Sequence, residues 1–321
     1  MAENPLTAEF YFMALPSVGG QPLQKMPRRL YTYVWKISAA QQVRLCLMTI
    51  LVFPLSLAPL ELQRRIIDDA ILKGATDLLM LLGGLYLAVL LAHGGLKYVR
   101  NVYQNRAAEG VTRLLRRRTL NHEDYGADSD DGTRQSIIAA EAEKLGAFVG
   151  ESVSFPLLQA GIVVSVAGYM LIIEPVVAAV AIGFFLPSLF VVPLIQGKVN
   201  KLAETRTKKT RELGTMALED ENTDKAEGLI ESIYDIRIRI FLLKYFMKFI
   251  NNLIGQIGPL SILLVGGWMV IRGHSEIGTI VAFISGYERM INPARDLLNF
   301  YRRLSAMDVQ YKLVREASSQ D

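Results

Sequence analysis

Cysteine is nearly absent from this sequence: Cys46 stands alone among 321 residues. A lone thiol excludes an intrachain disulfide and any metal site built from cysteine. It sits inside an apolar block, where it reads as a small core or lipid-facing residue. Histidine is almost as scarce, and His93, His122 and His274 lie far apart without ligand spacing, so no metal site is expected. A G-x-x-x-x-G-K-[ST] phosphate loop is missing too; Gly197-Lys198 lacks the upstream glycine and the following Ser or Thr. A phosphate cradle needs closely spaced glycines to aim backbone N–H groups at the anion. The chain is therefore expected to have no catalytic, cofactor-binding or metal residues of its own. Residues 1–24 hold Glu3 and Glu9 but no Lys or Arg, with Pro5, Pro16 and Pro22 among them. That excludes a signal or transit peptide, and residues 1–26 read as a disordered cytosolic tail.

What the sequence has in quantity is uncharged, apolar stretches. Apolar residues make up 51% of the chain and mean hydropathy is +0.27. A span needs ~20 apolar residues to cross ~30 Å of hydrocarbon. Between Glu151 and Glu174 lie 22 uncharged residues, between Glu174 and Lys198 another 23, and between Lys248 and Arg272 a further 23. Asp77 to Lys97 encloses 19. One such block could be a buried core helix, but a soluble domain of this size cannot bury four. Shorter runs, Arg44 to Glu61 and Glu276 to Glu288, add two weaker spans. The expected fold is all-α: a polytopic membrane protein with six helices near residues 43–60, 78–99, 152–173, 176–196, 249–271 and 277–296. Pro54 and Pro59 are expected to kink the first.

Charge gives the orientation, because Lys and Arg concentrate on the cytoplasmic side. Six spans place 31 of the 35 basic residues inside, leaving Arg64, Arg65, Lys73 and Arg272 outside. Both termini are then cytoplasmic, and the basic pI of about 9.0 needs no nucleic acid partner. Upstream of the first span, residues 27–42 carry Leu30, Tyr33, Val34 and Ile37 at helical spacing beside Trp35 and Lys36. This pattern predicts an amphipathic helix along the cytosolic interface.

The two inner loops, Lys97–Gly150 and Lys198–Lys248, are long, helically patterned and poor in proline. They are expected to extend spans 2 to 5 into the cytosol by about 35 Å, at 1.5 Å per residue over half a loop. Each pair of extensions ends in a polar connection. The first is Tyr125 to Gly132, with Asp128, Asp130 and Asp131 in it and Arg134 just beyond. The second is Asp220 to Gly228, with Asn222, Asp224 and Glu227. Composition alone suits ordinary solvated turns; two stalks ending in polar crosspieces also suit a docking surface for a cytosolic partner.

In order and spacing the chain resembles the transmembrane domain of exporter-type ATP-binding cassette (ABC) transporters, over roughly Leu30 to Val314. Pro59 with Ile66-Ile67-Asp68-Asp69-Ala70-Ile71 looks like the outer end of that family's first helix. Gly132 with Glu141 looks like its first intracellular loop, although Thr133, Ile137 and Glu141 depart from the usual residues. Ser232-Ile233-Tyr234-Asp235-Ile236-Arg237 resembles the segment after the second coupling helix. The most specific stretch is Gly266-Gly267-Trp268-Met269-Val270-Ile271-Arg272-Gly273, then Ile277-Gly278-Thr279, Phe283 and Pro293, similar to the helix 5 to helix 6 hairpin.

The resemblance implies alternating access driven by a nucleotide-binding domain on another chain or cut from this one, with ATP and Mg bound there. It implies a second copy or a related subunit, a place in a cell membrane such as a bacterial inner membrane, and a nucleotide-binding domain following residues 318–321. Coupling would fall to Tyr125, Asp128, Asp130, Asp131, Gly132, Arg134, Asp220, Asn222, Asp224 and Glu227. In span 6, Phe283, Tyr287, Glu288 and Met290 are candidates for a substrate path, with plain helix packing or a structural ion pair as the competing reading. An ATP-independent transporter would show short inner loops and inverted repeats, which the sequence lacks. A non-transporting scaffold of the same fold stays open.

Overall fold

A computed structural model describes residues 26–121, 141–219 and 223–317, and these residues are almost entirely helical. Helix α1 spans Leu30–Arg65 and is followed by a π-helical turn, Ile66–Ile71. Then come α2 (Thr76–Asn121), α3 (Ala142–Glu151), α4 (Ser154–Ile173), α5 (Pro175–Glu219), α6 (Thr223–Ile271) and α7 (Ile277–Ala317). Four stretches are long and apolar enough to cross a membrane: Leu30–Ile71, Thr76–Arg117, Ala142–Ile173 and Lys225–Ile271. Within the second, Met80, Leu81, Leu87 and Leu91 are exposed, as lipid-facing residues are and soluble-core residues are not.

The expected count of six is therefore met by four on length and composition. The fourth expected span, 176–196, lies in α5, where Pro175–Pro187 forms a shorter apolar helix. The sixth, 277–296, lies in α7, where Glu288 and Arg289 close the apolar run early.

Helices α2, α5 and α6 run unbroken for 46, 45 and 49 residues. At ~1.5 Å per residue each is roughly twice as long as the hydrocarbon is thick. The break between α3 and α4 has a specific cause. Pro156 has no N–H to give the Ser152 carbonyl one turn back, and that carbonyl instead accepts the Tyr31 hydroxyl at 3.4 Å. In α1 the backbone stays helical through Pro54 and Pro59 and leaves helical geometry at Ser38 (φ −132°, ψ 24°). There the Ser38 hydroxyl donates to the Val34 carbonyl at 2.8 Å and Gln42 Nε2 reaches Val149 O at 2.7 Å. The departure from helical dihedrals inside α1 is thus at Ser38, at the foot of the span.

The chain divides into two compact units. The first comprises Met1–Leu62, Thr76–Ser165 and Asn299–Asp321. Its core is aromatic: Tyr33 lies against Tyr311 at 5.3 Å between centroids, and Phe148 stacks on Phe300 at 5.8 Å. Leu30, Tyr33 and Val34, expected to face the membrane interface, are buried in this core with Val111 and Leu145. The approach helix spends its apolar face on protein, leaving Tyr31 and Trp35 outward. Tyr311 donates to the Pro27 carbonyl at 2.6 Å, and Arg303 pairs with Glu151 at 2.7 Å while lying over Phe155.

Within this unit α2 and α3 touch backbone to backbone. A Cβ on Gly146 would stand 2.0 Å from Thr112 Oγ1 and 2.8 Å from the Ala108 carbonyl. One turn on, a Cβ on Gly150 would meet Ala108 at 2.8 Å and the Gln104 carbonyl at 2.9 Å. The carbonyls cannot rotate away without breaking α2, so only glycine fits at this crossing. Gly146→Ala should lower stability by about 1–3 kcal/mol, the usual cost of overpacking. Thermal melting of the detergent-purified chain checks this; a midpoint equal to wild type would refute the backbone contact.

The second unit comprises Gln63–Ala75 and Val166–Leu298. Its turns follow from their glycine and proline residues. Helix α5 begins with Pro175 in the first helical position, where the missing N–H leaves no acceptor unpaired. Gly273 (φ +74°) ends α6 in a Schellman arrangement: its N–H bonds Val270 O, and the His274 N–H bonds Met269 O.

Candidate functional site

The second unit carries the span 6 residues singled out by sequence. Phe283, Tyr287 and Met290 are all buried, at positions i, i+4 and i+7 of α7, and so share one face. Glu288 is exposed and Arg289 half-buried in the single chain. The structure therefore splits the proposed group: three residues pack and one does not. Tyr287 shows why its face is buried. Its ring lies over Gly258 of α6, where a Cβ would come within 2.0 Å of Cζ, and its hydroxyl donates to the Ile254 carbonyl at 3.2 Å. Phe185 of α5 meets the same ring edge-on at 6.1 Å. Tyr287 thus joins three helices.

A polar cluster closes the turn end of the same unit. Asp68, in the π-helical turn, is 8% exposed. Its Oδ1 accepts the Gly278 N–H at 2.7 Å, satisfying one of the free donors in the first turn of α7. Its Oδ2 is buried without a fixed donor. A Cβ on Gly278 would lie 2.4 Å from Arg64 O and 2.5 Å from Asp68 Oδ2. Arg64 pairs with Glu276 at 3.4 Å, and Lys73 with Asp69 at 2.6 Å. Asp68 raises the pKa of the Glu276 carboxyl above its ordinary value, first by hydrogen bonding and then by charge; Arg64 opposes the shift. When it is protonated, Glu276 is placed to donate to Asp68 Oδ2. Sequence reasoning saw Asp68 only as part of a motif. Its burial and its pairing with a residue more than two hundred positions away leave no local trace.

Of the coupling residues, Tyr125, Asp128, Asp130, Asp131, Gly132, Arg134, Asp220 and Asn222 lie outside the described residues. Asp224 falls in the first turn of α6, and Glu227 is exposed one turn further on. On the stalk between α5 and α6, Lys209 bonds Ser232. Among the described residues no group of three His, Cys, Asp or Glu could hold a metal ion.

Long apolar helices with lipid-facing leucines define a multi-pass helical membrane protein. Residues 45–222 match the family described as the ABC transporter transmembrane region, more than half of the chain. The chain belongs to that family. A 48-residue segment is also 42% identical to the Bacillus subtilis (strain 168) protein YgaD, whose name assigns it to multidrug export as an ATP-binding/permease protein. That segment covers 15% of this chain and 8% of the relative.

The raised pKa of Glu276 fixes the sign of a pH effect. A carboxyl whose folded pKa is raised stabilises the fold below its ordinary value, near 4.5, and loses that contribution as pH rises through the raised value. Glu276→Gln keeps a donor toward Asp68 at every pH. Its melting temperature should therefore gain on wild type as pH is raised from acid to neutral. Parallel melts across that range check this, and a constant offset between the two would sink the carboxyl pair.

Proposed function

We propose that this chain forms the translocation pathway of an ATP-driven ABC exporter, as its membrane-spanning subunit or domain. The observation that carries this reading is the family match over residues 45–222, which runs from the first span through the α5 stalk. Unbroken helices longer than the bilayer support it, because a packed helix transmits displacement instead of stretching. The YgaD segment is consistent with an exporter.

In this reading the chain crosses a bacterial cell membrane six times with both termini in the cytoplasm. The apolar runs Pro175–Pro187 and Ile277–Tyr287 begin the fourth and sixth crossings. A nucleotide-binding domain, elsewhere in a longer protein or on a separate chain, binds ATP and Mg and closes on them. The polar connections around residues 125–134 and 220–227 take up that closure and pull on the stalks. A second copy or a relative completes the pathway.

Glu288 is the residue of interest for transport. An exposed carboxylate well inside the apolar depth is costly against lipid, so in the assembled transporter it faces water or the second subunit. Affinity purification from native membranes should bring down an ATPase chain, or the ATPase part of the same polypeptide, and vesicles should show ATP-dependent export. Glu288→Gln should lower the rate or change the substrate range of the complete transporter. Transport driven by an ion gradient without nucleotide would replace this reading with a secondary transporter, and an unchanged Glu288→Gln rate would remove that residue from the path.

A further inference from the structure

Helices α5 and α6 run antiparallel along the stalk, and the Lys209–Ser232 hydrogen bond sets their register. Following that register toward the apolar blocks brings Lys198 opposite Leu243. At this level a cavity of about 520 Å³ opens, lined by Lys198, Lys201 and Leu202 of α5 and by Arg239, Leu242 and Leu243 of α6. The lining is three cations and three leucines, with no acidic residue. The three cations form no ion pair among the described residues, whereas nearby Lys208 pairs with Glu204 at 2.8 Å. Like charges gathered without a carboxylate repel one another, and an anion placed among them relieves that repulsion.

We propose that this cavity binds the headgroup of an anionic membrane phospholipid, its phosphate among Lys198, Lys201 and Arg239 and the start of its acyl chains against the leucines. Depth selects the ligand. Lys198 is the first charge after 23 uncharged residues, so it marks the edge of the hydrocarbon. On the apolar side of that level α5 exposes Phe190 and Leu194, and α6 exposes Phe246 and Phe249 together with Lys244 and Lys248, the last charge before its own uncharged block. A free phosphate has no use for a leucine wall, while a lipid presents both chemistries in the right order. The volume lies within the range of roughly 300–1,000 Å³ usual for ligand pockets. In the orientation proposed above the leaflet is the cytoplasmic one, where anionic lipid attracts basic residues beside a span. The inference depends on the membrane placement of α5 and α6 and not on coupling to an ATPase.

The test uses the full chain in nanodiscs of phosphatidylcholine doped with phosphatidylglycerol, with retained lipid measured by native mass spectrometry after mild delipidation. Wild type should retain phosphatidylglycerol over phosphatidylcholine, less so as salt is raised. Lys198→Gln with Lys201→Gln and Arg239→Gln should cut retention about tenfold or more, since each basic residue near a membrane surface contributes a several-fold factor. Lys198→Arg with Lys201→Arg and Arg239→Lys should preserve it. Removing the same number of charges further down the stalk, at Lys208, Arg211 and Lys225, should leave it unchanged. Circular dichroism confirms that each variant is folded. The proposal is overturned if the glutamine variant keeps phosphatidylglycerol, if phosphatidylcholine is held equally well, or if inorganic phosphate displaces the lipid. It is equally overturned if crosslinks from position 198 reach a second copy of the chain in place of lipid. Any of these results leaves the exporter reading standing, because no arm depends on nucleotide.

Discussion

Lipid offers no hydrogen bonds, and that constraint orders everything else in this chain. A backbone carbonyl or amide left unpaired in hydrocarbon costs several kcal/mol, so the described spans cross as helix, and several helix breaks and ends have substitute partners. Pro156 frees the Ser152 carbonyl, and Tyr31 fills the vacancy. At Ser38 the helix of α1 bends, and the serine hydroxyl and Gln42 amide take up nearby carbonyls. Where α6 ends, Gly273 lets the last carbonyls pair within their own turn. Where α7 begins, a carboxylate from a distant turn supplies the acceptor. Each of these four stands beside the group that satisfies it.

The same constraint explains which parts of the fold were legible in sequence. Spans are runs without charge, and runs can be counted. The turns at Glu174–Pro175 and Gly273 follow from residues whose backbone preferences are local. One bend left no sequence signal, for a related reason. Pro54 and Pro59 are visible in sequence because each removes a hydrogen bond, whereas the bend at Ser38 goes with Gln42 reaching Val149 O on α3, a contact that no local pattern reveals. The approach helix shows the same gap in packing. Its apolar stripe was real, but a stripe does not say whether lipid or protein covers it, and here Val111, Leu145 and Phe300 do.

The candidate site was less legible than the fold because it depends on facing and not on depth. Tyr287 and Glu288 are neighbours in sequence, but one residue is about 100° of rotation on a helix. Sequence grouped them by depth; the helix sends Tyr287 over Gly258 and leaves Glu288 exposed. The glycine opposite Tyr287 was the signal that separates them, since a ring that size needs a slot on the facing helix. The register that sets Lys198 beside Leu243 is likewise a property of two helices together.

That rotation also bears on how the chain is used. Tyr287 is already held by Gly258, Phe185 and Ile254, so it is poorly placed to meet a substrate without unpacking three helices. The exposed face carries the charge. Charged side chains within apolar depth are tolerated against protein or water and disfavoured against lipid. An exposed Glu288 therefore fits the proposed exporter, in which water or a second subunit would cover the face that this chain leaves open. In the proposed exporter, packing and pathway would occupy opposite sides of this stretch of α7, with Tyr287 on the packed side and Glu288 on the open one.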